Sequence, residues 1–141
     1  MLRHGDAEDG SPDAARPLTP KGERQARAAG AALAQLGIRL DACLASPRVR
    51  AADTARLACE ELAIEVTEDE RLSGGPFDPL ELAAGLGAEV LLVGHEPDFS
   101  EAVRALTGGR VKMKKGGLAA VDRGELRLLL GPDEVQRIAA H

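Results

Sequence analysis

Three short runs of apolar or β-branched residues, at 40–45, 63–67 and 90–93, stand between polar or glycine residues without a polar residue at every second place. That pattern predicts strands buried on both faces, as in a parallel sheet. The segments between them carry the helical period. Thr19 reads as an N-cap with Pro20 in the first turn, and Ala26, Ala29, Leu33 and Leu36 follow on one face until Gly37 stops the helix. Ser46 and Pro47 predict a second helix of the same design, with Ala51, Ala55, Ala58 and Leu62 as its buried stripe. A third covers 79–86, and a fourth covers 97–106, ended by Gly108-Gly109. Near the C-terminus the period changes. Residues 117–122 and 125–130 flank Arg123-Gly124, which predicts an antiparallel hairpin, and a short helix follows over 132–140. Strands alternating with helices predict a three-layer α/β/α sandwich with a mostly parallel sheet. No linker or repeat divides residues 1–141, so a single domain is expected. The first strand is the irregular one. It must precede Gly5, and residues 1–4 fall short of the roughly five or six of an ordinary strand. Either the native start lies upstream of Met1 or this strand is a stub.

Composition narrows the ligands. The chain has 141 residues and is 44% apolar, enough for one ordinary core, yet aromatics make up 1%, with Phe77 and Phe99 the only two. Base-stacking platforms, aromatic cation cages and interfacial tryptophan belts cannot be built from such a chain. A net charge of -5 repels a phosphodiester backbone, so nucleic acid is not an expected partner. Cys43 and Cys59 are too few for a disulfide framework or a paired-cysteine metal site and read as core residues in a reducing compartment. No run approaches the roughly 20 apolar residues of a membrane span, and the N-terminus lacks the apolar stretch of a signal peptide. The expectation is a cytoplasmic monomer with no membrane partner.

The chemistry collects at strand ends. In open α/β sheets ligands bind beyond the carboxyl ends of the strands, where loops enter helix N-termini. Three such loops carry Arg3-His4-Gly5-Asp6-Ala7, Ser46-Pro47-Arg48-Val49-Arg50-Ala51 and Gly94-His95-Glu96-Pro97. His4 and His95, two of the three histidines, therefore fall at one edge together with Arg3 and Arg50, while His141 is a terminal residue. Two arginines, two histidines and helix N-termini around one point describe a pocket for a dianionic phosphoryl group. A zinc site is the rival reading of the histidine pair. It needs a third ligand from Asp6 or Glu96 and sets a cation beside two arginines, so no metal and no other cofactor is expected.

These motifs resemble the histidine phosphatase (phosphoglycerate mutase-like) superfamily: Arg-His-Gly at 3–5, Ser-Pro-x-x-Arg-Ala-x-x-Thr-Ala at 46–55, and Gly-His at 94–95. The stretch Arg16-Pro17-Leu18-Thr19-x-x-Gly22 and the small size are most similar to its SixA-type phosphohistidine phosphatase branch. The resemblance implies that His4 is the nucleophile, that Arg3 and Arg50 clamp the phosphoryl oxygens beside Gly5, and that His95 donates a further hydrogen bond. Arg48 fills a variable position and is expected at the rim. Phosphoester-cleaving members also need a carboxylic acid to protonate the leaving alkoxide. Glu68, Asp69, Glu70, Asp78 and Glu81 are on offer, and Glu96 is the nearest in sequence, but no motif fixes one of them. A phosphoramidate leaves as imidazole with less help, so the expected substrate is phosphohistidine, free or in a protein partner, with a small phosphomonoester as the alternative. A phosphate-binding module without turnover is the reading from another class, since a truncated first strand would hold Arg3 and His4 poorly. A mutase is disfavoured by the missing acid and the short chain. Arg110, Lys112, Lys114 and Lys115 form the one basic cluster, available either to solvent or to an acidic partner.

Overall fold

Successive residues of the central strands go to opposite faces of the sheet, and a separate set of helices covers each face, in a computed structural model that describes residues 1–141. The elements run β1 (Leu2–Arg3), α1 (Pro20–Gln35), β2 (Ala42–Ala45), α2 (Val49–Leu62), β3 (Val66–Glu68), α3 (Pro79–Ala83), β4 (Val90–Gly94), α4 (Asp98–Thr107), β5 (Leu118–Asp122), β6 (Glu125–Leu130) and α5 (Pro132–Ala139). They form one six-stranded sheet in the order β3-β2-β4-β1-β5-β6. The first four strands of that order are parallel, and β5 runs antiparallel to both β1 and β6. Cys43, Ala45, Leu91, Val93 and Leu118 pack with Ala29, Leu33, Ala55, Ala58 and Val135 of α1, α2 and α5. Leu44, Leu92 and Ala119, one residue out of phase, pack with Leu82, Phe99 and Val103 of α3 and α4. The sandwich and the terminal hairpin are those the sequence pattern predicts.

The largest boundary differences fall at three places, each for a local reason. The second helix begins at Val49, because Ser46 is fully buried and spends its hydroxyl on other groups while Arg48 stays extended (φ -61, ψ 135). The third strand starts at Val66, because Ala63 takes the left-handed conformation (φ 52) that closes α2, and pairing with β2 begins only at Val66. The third helix ends at Ala83, with Gly85 at φ 77 shortly after. The hairpin turn is as expected, with Arg123 and Gly124 at φ 51 and 76, the pair of positive angles a two-residue loop requires.

β1 has two residues and lies in the middle of the sheet. Leu2 sits between Val93 and Leu118. Backbone bonds continue past the strand: Arg3 N–H to Gly117 O at 3.0 Å, His4 N–H to Gly94 O at 3.0 Å, and Gly116 N–H to His4 O at 3.0 Å. Arg3 and His4 are thus held from both sides. The Met1 amine donates to Ala119 O at 2.7 Å, and its burial pushes its pKa down to about 5. Two buried cysteines, Cys43 and Cys59, remain free thiols in the core.

Candidate active site

The end of β1 delivers Arg3 and His4 into a loop that lies against the first turn of α1. The approach is so close that a Cβ on Gly22 would stand 2.0 Å from Asp6 O, and one on Gly5 2.6 Å from Gly22 O, so both positions demand glycine. Thr19 caps α1 by accepting from Gly22 N–H and donates to the Asp6 carboxylate, fixing the loop further. His4 is 6% exposed, and its Nδ1 lies 2.7 Å from Gly5 O. A carbonyl only accepts, so Nδ1 carries the hydrogen and Nε2 keeps a free lone pair. Thr54 on α2 secures this arrangement. Its hydroxyl donates to Arg50 O at 2.7 Å and accepts from Gly5 N–H at 3.0 Å, which orients the peptide that orients the imidazole.

β4 ends at Gly94 and places His95 beside His4, with ring centroids 5.3 Å apart and planes inclined by 56°. Nε2 of His95 is 2.8 Å from the Ser46 hydroxyl, whereas Nδ1 is buried without a partner. Arg3 reaches back to Met113 O with Nη1 at 2.9 Å, and its Nε is likewise buried and unpartnered. Arg50, on the first turn of α2 and 8% exposed, donates from Nη1 to Asp13 O at 2.9 Å and from Nη2 to the Asp13 carboxylate at 3.1 Å. The same carboxylate takes Arg16 at 3.0 Å and Arg48, and Arg48 also donates to Ser73 O at 2.6 Å. Hydrogen bonds from Arg16 and Arg50 hold the Asp13 carboxyl down at about 2. Nothing in the sequence pattern pointed to Asp13, whose role arises from a short turn (Asp13–Ala15) folding onto α2.

The structure gathers Arg3, His4, Gly5, Arg50 and His95, but puts Glu96 to other use. Its carboxylate accepts from Ser100 N–H at 2.7 Å, from the Ser100 hydroxyl and from Met113 N–H at 3.2 Å, tying α4 to the segment that anchors Arg3. Asp69 binds Arg71, and Asp78 caps α3. The basic cluster borders the site through Met113 and Gly116, and Lys115 lies 3.6 Å from the Asp6 carboxylate. No group of three or more His, Cys, Asp or Glu side chains is arranged to hold a metal ion. No helix is long and apolar enough to cross a membrane.

Burial, then the neighbouring cations, keep both imidazoles neutral. The His4 pKa falls from 6.5 to about 4, lowered first by burial and then by Arg50, Arg3 and Lys115 against the opposing Gly5 bond. That of His95 falls to about 3 through burial, His4, Arg50 and Arg48. In the unfolded chain both titrate near 6.5, so the stability linked to them is complete above that pH. It is lost as pH falls from 6.5 to about 4 for His4 and about 3 for His95, because there the unfolded state binds protons that the folded state refuses. The expected outcome is a fall in unfolding free energy on the order of 3 kcal/mol for His4 alone, at about 1.4 kcal/mol per pKa unit. Chemical denaturation between pH 7.5 and 4 measures it, and a His4→Asn, His95→Asn double variant should show a clearly flatter pH dependence.

Two neutral imidazoles and two guanidiniums, with two unpartnered buried nitrogens among them, thus cluster at the strand ends of an α/β protein. Residues 1–96 match the histidine phosphatase superfamily (branch 1), and the chain belongs to that family. An uncharacterized protein of Picosynechococcus sp. is 35% identical over 142 residues, covering 91% of this chain and 86% of that one. The mitochondrial serine/threonine-protein phosphatase Pgam5 of Drosophila persimilis is 36% identical over 84 residues, 56% of this chain and only 29% of its own length. Among solved structures, the protein histidine phosphatase SixA complexed with tungstate shares the fold with a TM-score of 0.80 at 24% identity, over 94% of this chain and 95% of that one. A candidate phosphohistidine phosphatase SixA from Nakamurella multipartitia is 32% identical with a TM-score of 0.68, over 76% and 63% of the two chains. Within the superfamily, the resemblance is thus to SixA-type members.

Proposed function

We propose that this chain is a metal-independent phosphatase that passes a phosphoryl group through Nε2 of His4, with phosphohistidine on a protein as its substrate. The observation that carries the reading is the pair of orphaned atoms, Arg3 Nε and His95 Nδ1, buried beside a neutral His4 whose Nε2 is free. An anion with several oxygens completes such a site, and a bare pocket does not. The phosphoryl oxygens take hydrogen bonds from Arg3, Arg50 and His95, in a low-dielectric site where such donors stabilise developing charge. Nε2 of His4 attacks phosphorus, an N–P bond forms, and the bond to the substrate imidazole breaks, its electron pair staying on a ring whose other nitrogen carries the proton, so that neutral imidazole leaves. Water then attacks the same phosphorus, the His4 N–P bond breaks, and inorganic phosphate departs. The protein supplies position and charge throughout.

The substrate half of the proposal rests on the leaving group. Glu96, Asp69 and Asp78 are all engaged elsewhere, which suits an imidazole that departs without strong acid assistance better than an alkoxide. The 32%-identical relative described as a candidate phosphohistidine phosphatase supports the same substrate. The similarity to Pgam5 favours a second reading, in which the substrate is a phosphoester on an exposed hydroxyl. One experiment separates them: kcat/KM for a phosphohistidine peptide, a phosphoserine peptide, an aryl phosphate and a sugar phosphate on the same preparation. The phosphohistidine peptide should be preferred by at least about tenfold, roughly 1.4 kcal/mol of transition-state discrimination. Preference for the sugar phosphate or phosphoserine overturns the substrate and leaves the mechanism standing.

A further inference from the structure

We propose that Ser46 is a positioning residue that sets the tautomer of His95, directing the His95 proton to Nδ1 and so into the oxyanion pocket. The inference rests on the phosphatase reading for its functional meaning, but its first observable does not. Ser46 is fully buried between the end of β2 and the start of α2. Its Oγ has two neighbours: it accepts from Arg48 N–H at 3.2 Å, and it lies 2.8 Å from His95 Nε2. A hydroxyl has a single hydrogen to give. With Arg48 N–H already pointing at the oxygen, that hydrogen has only the imidazole nitrogen to go to. Nε2 then accepts, and the neutral ring carries its own hydrogen on Nδ1.

The opposite tautomer fails on two counts. Were Nε2 protonated, it would donate to Ser46 Oγ and leave the buried serine hydrogen with no acceptor. Nδ1 would then present a lone pair to the oxygen of an incoming anion, where lone pair meets lone pair. The structure instead gives the two histidines complementary states from one motif. Thr54, through Gly5, keeps the His4 hydrogen on Nδ1 and frees Nε2 for attack. Ser46 does the reverse for His95, occupying Nε2 and leaving Nδ1–H free. Arg50 lies between Ser46 and Thr54 in sequence, so a single strand-to-helix segment orients both rings and contributes a guanidinium to the anion.

The test reads the tautomer directly. In the full chain labelled with nitrogen-15 at histidine, long-range proton–nitrogen correlations at pH 7 should show His95 protonated at Nδ1, with the solvated His141 as the averaged reference. Ser46→Ala should shift His95 toward the Nε2-protonated or a mixed state and lower kcat by about 10²-fold, the lower end of the loss for removing one oxyanion donor. Ser46→Thr, which keeps the hydroxyl, should restore both. Wild-type protein with the His95 proton on Nε2 overturns the proposal even if no variant folds. So does a Ser46→Ala protein that keeps the wild-type tautomer, whatever its activity. If the wild type turns nothing over while the Nδ1 tautomer is present, the phosphatase reading fails and the tautomer assignment survives.

Discussion

His4→Ala is expected to abolish turnover, with kcat reduced on the order of 10⁴-fold or more, as when a nucleophile that acts with its partners as one unit is removed. The reason is that no other group can take its place. Nε2 of His95 is occupied by Ser46, and both cysteines are buried in the hydrophobic core. The variant should still fold, because the backbone at residue 4 is held by bonds to Gly94 and Gly116 that a side-chain truncation leaves intact. It should also still bind inorganic phosphate or vanadate, because Arg3, Arg50 and His95 are untouched. Steady-state kinetics on the phosphohistidine peptide, paired with the vanadate-induced shift in melting temperature, checks both halves. Activity within tenfold of wild type would mean that the phosphoryl group takes a different route.

The second large effect falls on Arg50. Arg50→Ala should lower kcat/KM on the order of 10³-fold, at the upper end of what one charged oxyanion donor supplies. The upper end is expected because the loss is double. A guanidinium disappears, and the Asp13 carboxylate that it neutralised is left close enough to His95 to influence its titration, as a negative charge facing a dianion. Arg50→Lys should recover only part of the loss, since an ammonium restores charge but not the fork that serves Asp13 and a phosphoryl oxygen together. If that account is right, Asp13→Asn in the Arg50→Ala background restores some activity, whereas in the wild type it does not. A double-mutant cycle on kcat/KM reads this coupling, and strict additivity would separate Asp13 from the anion site.

Most of the fold was legible because parallel strands and amphipathic helices leave different periods in the chain. The 90–93 run, the Ala26-Ala29-Leu33 stripe and the Arg123-Gly124 turn all lie where the pattern placed them. The two-residue first strand was visible as a shortfall, but its consequence was not, because hydrogen bonds to Gly94, Gly116 and Gly117 come from segments about a hundred residues away. For the same reason the poorly held Arg3 and His4 that motivated a binding-only reading are not what the structure presents. Ser46 was misread as a helix cap because Ser-Pro before an apolar stripe has two uses, and only the position of His95 shows which applies. Glu96 illustrates the limit of proximity in sequence. It follows His95 directly, yet its carboxylate is taken by Ser100 and Met113. Asp13 left no signal at all, since a turn that folds onto another element is specified by its destination.

The site lies at the strand ends, and the side chains that would grip a leaving group by stacking are absent from a chain with two phenylalanines as its only aromatics. In the proposed reaction recognition would centre on the phosphoryl group itself, and the pathway of that group is the claim on which the proposal depends. Rapid-quench mixing with a phosphorus-32-labelled phosphohistidine peptide measures it most directly. The account predicts acid-labile, base-stable label on the protein within the first turnover, located at His4 by peptide mapping and absent from His4→Ala. Full-rate release of phosphate with no label on His4 at any time would contradict it.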